Sequence, residues 1–251
     1  MERSESIHYS IVIPVFNTSI VLKELVQRIE QVFNLHVKKP FEIILVDDGS
    51  VNTATWTALE ELAEKKVFIT VIRLARNFGQ HAAMVCGMEH SNGRFLLTLD
   101  DDLQHAPEDI PVLISHQDHD VVMGQFEQKK HSPIRNFGSN IKSYFDSIIS
   151  GKPQNLRVST FCLIQRHVAE KMLANLKTPL PLFSTLIFQA TSDIVGVRVS
   201  HSFRSEGKSG YTIFKLVKLF IRLFASKSMQ GAKKEKPYII RQGIHQPQNA
   251  Y

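Results

Sequence analysis

Short apolar runs rich in β-branched residues alternate with amphipathic segments through the first half of the chain. This pattern predicts strands at 10–15, 41–46, 67–74, 95–99 and 120–124, with helices from Ser19 onward and at 53–64, 80–89 and 107–115. Strands and helices in that rhythm form parallel pairs, with helices on both faces of the sheet. The sequence therefore predicts an α/β fold with a mostly parallel central sheet.

The rhythm changes after the fifth predicted strand. We predict a polar loop at 125–135, a helix at 136–149, a strand at 159–165, a helix at 167–176, a strand at 194–203 and an amphipathic helix at 212–224. The last stretch is polar without apolar periodicity, which is typical of disorder. The expected organisation is one domain over 8–225 and a polar, basic, disordered tail over 226–251.

Composition excludes several classes of protein. Of 251 residues, 43% are hydrophobic and 22% are charged, as in an ordinary globular protein. No run approaches the roughly 18 apolar residues that cross a bilayer, and residues 1–10 lack the apolar core of a signal peptide. We therefore expect a cytoplasmic protein in which Cys86 and Cys162 are buried thiols rather than a disulfide.

Positive charge is concentrated near the C-terminal end. The net charge is +6, and residues 201–251 hold ten Lys or Arg against two acids. The amphipathic helix predicted there has basic residues on one face and apolar residues largely on another: Lys215, Lys218 and Arg222 against Ile213, Leu216 and Phe220. This pattern favours contact with an anionic membrane surface, and a docked surface helix is the alternative. Nucleic acid is not expected as a partner, because no recognised motif interleaves aromatic residues with the basic ones.

Three consecutive carboxylates end the fourth predicted strand. Asp100, Asp101 and Asp102 follow the apolar run 95–99. Like charges this close raise one another's pKa, and a bound cation relieves that cost. Oxygen ligands suit Mg²⁺ or Mn²⁺, which commonly also bind phosphate oxygens. The alternative is a solvated acidic turn before the next helix.

Two other predicted strands also end in polar clusters, at 14–18 and at 47–50. Ligands of α/β proteins bind beyond the carboxyl ends of the strands, so Asp47 and Asp48 should lie near Asp100 and Asp102. The alternative for Asp47 and Asp48 is a simple Asp-Gly-Ser turn. Neither a Rossmann nor a P-loop glycine motif is present, so a metal on Asp102 would have to help hold phosphates.

Four motifs follow in order: IVIPVFN at 11–17, VDDGS at 46–50, RNFGQ at 76–80 and DDDLQHAPE at 100–108. Together they resemble family 2 glycosyltransferases of the GT-A fold, most of all the branch that transfers sugars to dolichyl or polyprenyl phosphate. The resemblance covers about residues 8–225. It implies a nucleotide-diphosphate sugar as donor and Mn²⁺ or Mg²⁺ as cofactor.

The resemblance, together with the strand-end clusters, suggests roles for individual residues. The metal ligands would be Asp100, Asp102 and Gln104. The residues that bind the nucleotide sugar would be Pro14, Phe16, Asp47, Asp48, Gln80, Asp100, Asp101, Arg204 and Lys208. Arg135 and Ser139 would meet the acceptor phosphate. Asp102, Arg204 and Arg135 would be the catalytic residues.

This chain also departs from the family pattern. Thr18 stands where the family usually has Glu, and Thr160 and Cys162 interrupt a usual Asp-Phe-Arg sequence. Gln125 stands where dolichol-phosphate mannose synthases place an Arg, which weakens the case for GDP-mannose as donor. Of the downstream acids, Asp193 is the one candidate for a general base.

No convincing Glu-Asp pair stands downstream to act as a general base, and this absence bears on the choice of acceptor. Transfer to a sugar hydroxyl needs a general base, whereas a phosphate oxygen is already anionic. We therefore predict an inverting glycosyltransferase that uses a lipid-linked acceptor, with polyprenyl phosphate favoured, in cell-surface glycan synthesis at the inner face of the membrane. A transferase acting on a saccharide hydroxyl is one alternative, and a basic nucleic-acid-binding module is a remote second.

Overall fold

The computed structural model describes residues 6–126, 156, 158–176, 180–200 and 236–244. The strands are β1 (Tyr9–Val15), β2 (Phe41–Asp47), β3 (Ile69–Leu74), β4 (Phe95–Thr98), β5 (Val121–Phe126), β6 (Cys162–Gln165), β7 (Ile194–Val199) and β8 (Ile240–Ile244). The helices are α1 (Leu22–Val32), α2 (Thr53–Lys65), α3 (Gln80–Glu89), α4 (Ile110–Ile114), α5 (Arg166–Ala174) and α6 (Phe183–Ala190). A π-helical turn at Phe33–Val37 extends α1, and a 3₁₀ turn at Pro107–Asp109 precedes α4.

One sheet joins these strands in the order β7-β5-β6-β4-β1-β2-β3-β8. β1 lies parallel between β2 and β4, and β3 lies parallel to β2. β6 runs antiparallel between β4 and β5, and β8 runs antiparallel to β3. The predicted mostly parallel sheet is confirmed, although the sequence did not indicate which strands reverse direction.

Helices cover both faces of the sheet, as predicted. β1 and β2 are buried at every position, which is expected of parallel strands between two helical layers. Ile11 packs on one face with side chains of α1 and α2, including Leu25 and Trp56. Its neighbour Val12 packs on the other face with side chains of α3, α5 and α6. Successive side chains point to opposite faces, so each strand contributes to two cores.

Some element boundaries differ from the predictions. α1 begins at Leu22 rather than near Ser19, and its N-cap residue, Val21, makes no side-chain capping hydrogen bond. β5 extends to Phe126, so Gln125 lies in a strand rather than in the predicted loop. The sequence prediction omits α6, an eight-residue helix too short to show a clear helical period. Cys86 and Cys162 are buried free thiols, as predicted.

The prediction of a disordered tail is wrong for residues 236–244. β8 pairs with the edge strand β3, and the Ala75 N–H donates to the Ile239 carbonyl at 2.8 Å. Tyr238 is buried, and its hydroxyl hydrogen-bonds the Glu89 carboxylate, which also accepts from Lys236 Nζ at 2.8 Å. An exposed strand edge offers main-chain partners to any extended segment, so the pairing needs no apolar periodicity. The boundary predicted at residue 225 therefore excludes part of the sheet.

Several predicted features lie outside the described residues. They are the loop residues 127–135, the helix at 136–149, the amphipathic helix at 212–224, and the side chains of Arg135, Ser139, Arg204 and Lys208. Within the part of the chain that the structure describes, no helix is both long and apolar enough to cross a membrane.

Candidate active site

A cleft of about 280 Å³ opens at the carboxyl edge of the sheet, beyond β1, β2 and β4. The lining residues are Pro14, Val15, Phe16, Asp48, Asn77, Gly79, Gln80, Asp100, Asp101 and Asp102. Parallel pairing of β1 with both β2 and β4 places the ends of these strands side by side. The structure thus brings together Asp48, Asp100 and Asp102, as the strand-end argument predicted.

Asp48 ties the loop 76–79 to the end of the sheet. Its carboxylate accepts from the Phe78 N–H at 2.7 Å and from the Gly79 N–H at 2.9 Å. Burial raises the pKa of Asp48 to about 6, although the two backbone hydrogen bonds act in the opposite direction. Asp47 contributes a smaller upward effect on that pKa through charge repulsion. Asp48 is therefore a buried acceptor at the floor of the cleft.

Gly49 permits this close approach of the two loops. Its φ is +67°, in the left-handed region that side chains disfavour. A Cβ at this position would lie 2.3 Å from the carbonyl carbon of Arg76 and 2.7 Å from the backbone nitrogen of Asn77. Backbone atoms cannot move aside as a flexible side chain can, so only glycine fits.

Asp47 does not line the cleft, which corrects the prediction that it contacts the nucleotide. Its carboxylate is fully buried, accepts from the Ser50 N–H at 2.8 Å and lies 3.2 Å from the Arg73 guanidinium. That guanidinium also donates to the Ser50 carbonyl and lies over the Trp56 ring, 5.1 Å from its centroid. Asp47 therefore supports the turn that presents Asp48.

Asp100 is held by two elements that are distant in sequence. Its Oδ1 accepts from Gln80 Nε2 at 2.5 Å, and its Oδ2 accepts from Thr160 Oγ1 at 2.9 Å. Gln80 is the first residue of α3, and Thr160 precedes β6. In the sequence, Thr160 stands out only as a departure from the family pattern, because nothing in the local sequence connects it with Asp100.

A buried histidine supports the same acidic turn. His105 Nδ1 lies 3.3 Å from the Asp100 backbone nitrogen and 3.8 Å from Asp100 Oδ2. The His105 ring stacks on Phe126 and Phe161, with both centroids 5.2 Å away. The sequence predicted no role for His105, and its position within the 100–108 motif is the one signal that points to it.

Asp101 faces the loop that follows β1. Its Oδ2 accepts from the Phe16 N–H at 3.3 Å. Burial raises the pKa of Asp101 to about 6, against the lowering effect of a hydrogen bond from the Thr18 side chain. Thr18, where the family usually has Glu, therefore contacts the acidic turn directly.

Asp102 and Gln104 form one compact turn. Asp102 accepts from the Gln104 backbone N–H at 3.1 Å and from Gln104 Nε2 at 2.9 Å. Leu103 between them has a φ of +60°. Two of the three predicted metal ligands, Asp100 and Asp102, line the cleft, and Gln104 lies against Asp102.

These donors fit a metal that the substrate helps to hold. Among the described residues, no group of three His, Cys, Asp or Glu side chains is arranged to bind an ion by itself. Mg²⁺ is usually held by one or two carboxylates together with substrate phosphates, rather than by a complete protein cage. Asp100 and Asp102 at the cleft provide that kind of partial site.

Asp193, the candidate general base, lies at the other edge of the sheet. It immediately precedes β7, and its carboxylate lies 2.7 Å from His119 Nδ1 and accepts from the Asp120 N–H. The hydrogen bond from His119 lowers the pKa of Asp193. β7 runs parallel to β5, and β5 runs in the same direction as β4, so Asp193 lies at the opposite edge from Asp100. It is a turn residue and not a base.

The model of Glycosyl transferase family 2 matches residues 10–173. The chain belongs to this family. The match includes every described residue that lines the cleft.

Curated relatives agree with this assignment. An undecaprenyl-phosphate 4-deoxy-4-formamido-L-arabinose transferase of Yersinia enterocolitica is 33% identical over 228 residues, which cover 89% of this chain and 68% of the relative. A protein of the same name from Pseudomonas aeruginosa is 34% identical over 219 residues, which cover 85% of this chain and 63% of the relative. This chain thus spans about two thirds of the length of these relatives.

Solved glycosyltransferases share the fold. A mannosyltransferase from Pyrobaculum calidifontis, in complex with GDP-Man and Mn²⁺, superimposes with a TM-score of 0.59 at 15% identity, covering 92% of this chain and 66% of that one. Glucosyl-3-phosphoglycerate synthase from Mycobacterium tuberculosis gives a TM-score of 0.58 at 14% identity, covering 87% of this chain and 79% of that one. The predicted GT-A fold of family 2 glycosyltransferases is confirmed.

Proposed function

We propose that this family 2 glycosyltransferase moves a sugar, with inversion, from a nucleotide-diphosphate sugar to polyprenyl phosphate in cell-surface glycan synthesis. The observation that carries the proposal is the cleft lined by Asp48, Asp100 and Asp102 in a chain of this family. The names of the relatives, undecaprenyl-phosphate sugar transferases, support the acceptor class.

The donor would lie along the ends of β1, β2 and β4. Phe16 is 45% exposed at the cleft, so its ring is available to pack against the nucleoside beside Pro14. Asp48 would accept a hydrogen bond from the base. The side chains of Gln80, Asp100 and Asp101 would contact the rest of the nucleotide sugar.

Asp100 and Asp102, with Gln104 against Asp102, would hold Mn²⁺ or Mg²⁺. Bound there, the ion offsets the negative charge that builds on the departing nucleotide diphosphate. Arg204 and Lys208, outside the described residues, would add positive charge at the same place.

The positions of the described acids support a phosphate acceptor. Asp193 lies at the other edge of the sheet. The described carboxylates that line the cleft are Asp48, Asp100, Asp101 and Asp102, which are proposed to bind the donor and the metal. A phosphate oxygen attacks without a general base, so polyprenyl phosphate suits this site better than a saccharide hydroxyl. Arg135 and Ser139 would position that phosphate.

The function is tested by a screen of UDP-, GDP- and dTDP-sugars with Mn²⁺ and polyprenyl phosphate, in which released nucleotide diphosphate is measured. We expect one donor class to turn over only when polyprenyl phosphate is present.

Arg135→Ala should raise the KM for the lipid phosphate more than the KM for the donor. A saccharide that accepts the sugar while polyprenyl phosphate stays inert would contradict the proposed acceptor.

The role of Asp48 predicts a pH dependence of donor binding. Because burial raises the pKa of Asp48 to about 6, the carboxylate becomes protonated as the pH falls through that value. Loss of the negative charge on Asp48 should weaken nucleotide-diphosphate binding by up to about tenfold per pH unit below the pKa. The quantity to measure is the affinity ratio between wild type and Asp48→Asn, by calorimetric titration. This ratio should shrink below pH 6, and a constant ratio would rule out the role of Asp48.

We also propose that the protein works at an anionic membrane surface through the predicted helix at 212–224. Wild type should co-sediment with anionic vesicles and be released by high salt, since surface charge is screened within a Debye length of about 8 Å at physiological ionic strength. Changing Lys215, Lys218 and Arg222 to Glu should abolish co-sedimentation. Equal binding of wild type to neutral and anionic vesicles would refute the proposal.

A further inference from the structure

Each carboxylate oxygen of Asp100 receives its own hydrogen bond. The Gln80 amide donates to Oδ1 at 2.5 Å and the Thr160 hydroxyl donates to Oδ2 at 2.9 Å. Both donors are uncharged, and they fix the direction in which the carboxylate points. An ionised carboxylate has about four lone-pair sites, so it can accept more than these two bonds.

Asp47 shows the contrasting arrangement within the same site. Its carboxylate lies 3.2 Å from the Arg73 guanidinium, which balances the negative charge, and it is fully buried. Asp100 instead lines the cleft and is held by an amide and a hydroxyl. Asp47 thus supports a turn beneath the cleft, whereas the carboxylate of Asp100 is oriented at the cleft itself.

Thr160 rests on a rigid support. Its carbonyl accepts from the hydroxyl of Thr98 at 2.6 Å, and Thr98 is fully buried in β4. Thr98 also pairs across the β4–β6 ladder with Cys162, which is two residues after Thr160. The backbone of Thr160 is therefore held in place relative to the strand that ends in Asp100.

We propose that Thr160 is a positioning residue that, together with Gln80, orients Asp100 for the metal–diphosphate group of the donor. This inference rests on the proposed function, because it assumes that Asp100 serves that group. Hydrogen bonds to an ionised group are stronger than those between neutral groups, so one hydroxyl can hold the carboxylate in a single rotamer. Without it, Asp100 must be ordered when the ligand binds, and affinity falls.

The test is calorimetric titration of the full chain with UDP, GDP and dTDP in turn, each with Mn²⁺. For the nucleotide that binds wild type, Thr160→Val should weaken binding by up to about tenfold, because the Asp100 side chain must then be ordered when the ligand binds. Thr160→Ser, which keeps the hydroxyl, should restore most of the affinity. Thermal unfolding without Mn²⁺ should show that all three chains are folded at the temperature of the titration.

Two comparisons separate positioning from a general structural effect. Thr55→Val removes a buried hydroxyl from α2, away from the cleft, and should leave the affinity unchanged. In a chain that already carries Asp100→Asn, adding Thr160→Val should lower the nucleotide affinity almost no further, because the effect of Thr160 passes through Asp100.

The possible failures are distinguishable. If wild type binds and Thr160→Val binds equally well, the positioning role is overturned while the proposed function stands. The role is also overturned if Thr160→Val weakens binding as much in Asp100→Asn as in wild type. If wild type binds none of the three nucleotides with Mn²⁺, the proposed donor site fails together with the inference.

Discussion

Replacing Asp102 with asparagine is expected to remove most sugar-transfer turnover while leaving the fold intact. Asp102 lines the cleft, and the two hydrogen bonds described for its carboxylate come from Gln104 in the same turn. The substitution keeps the side-chain size and removes the charge that a cation requires. We expect turnover to fall by roughly a hundredfold or more, as when charge stabilisation of a leaving group is lost. Steady-state release of nucleotide diphosphate measures the effect, and thermal unfolding checks the fold.

Asp193→Asn is the matched control for this experiment. It makes the same chemical change in an acid at the opposite edge of the sheet, so turnover should stay close to that of wild type. Excess EDTA should reproduce the loss in the wild-type chain. Near-normal turnover of a folded Asp102→Asn, or full wild-type activity in EDTA, would show that Asp102 holds no essential metal.

Gly49→Ala is expected to have the largest effect on stability. The new Cβ would lie 2.3 Å from a backbone carbon of Arg76, and the backbone at this position has a φ of +67°. Conformational strain and overpacking each cost about 1–3 kcal/mol, so the free energy of unfolding should fall by about 3 kcal/mol or more. The loop 76–79 would also move away from Asp48, and nucleotide-diphosphate binding should weaken in parallel. Chemical denaturation and calorimetric titration measure the two losses.

Gly79→Ala separates crowding from strain. Gly79 also has a positive φ, of +98°, but a Cβ there would meet nothing within 4 Å. It should therefore lose stability through strain alone, about 1–3 kcal/mol. If the Gly49→Ala variant is as stable as the Gly79→Ala variant, or more stable, then contact with the Arg76 backbone is not the reason that position 49 needs glycine.

The sequence predicted the elements that position the cleft. The runs that became β1, β2 and β4 are mostly apolar, and each is followed by polar residues. Parallel pairing then places those ends at one edge, so the meeting of Asp48 with Asp100 and Asp102 could be predicted without coordinates. Asp47 shows the limit of this reasoning, because adjacent residues of a strand end point in different directions and only one faces the cleft.

What the sequence by itself determined is the α/β class, the succession of the first five strands along the chain, the family and the acidic character of the site. Periodicity and strand-end composition are local properties, which a single chain displays directly. The tertiary structure alone decided that β6 and β8 reverse direction, that Tyr238 fastens residues 236–244 to α3, and that Asp193 lies at the far edge. It also decided the partners of Asp100, which come from 20 and 60 residues away in the chain. Such contacts depend on which elements pack together, because a side chain bonds whatever donor the fold places beside it.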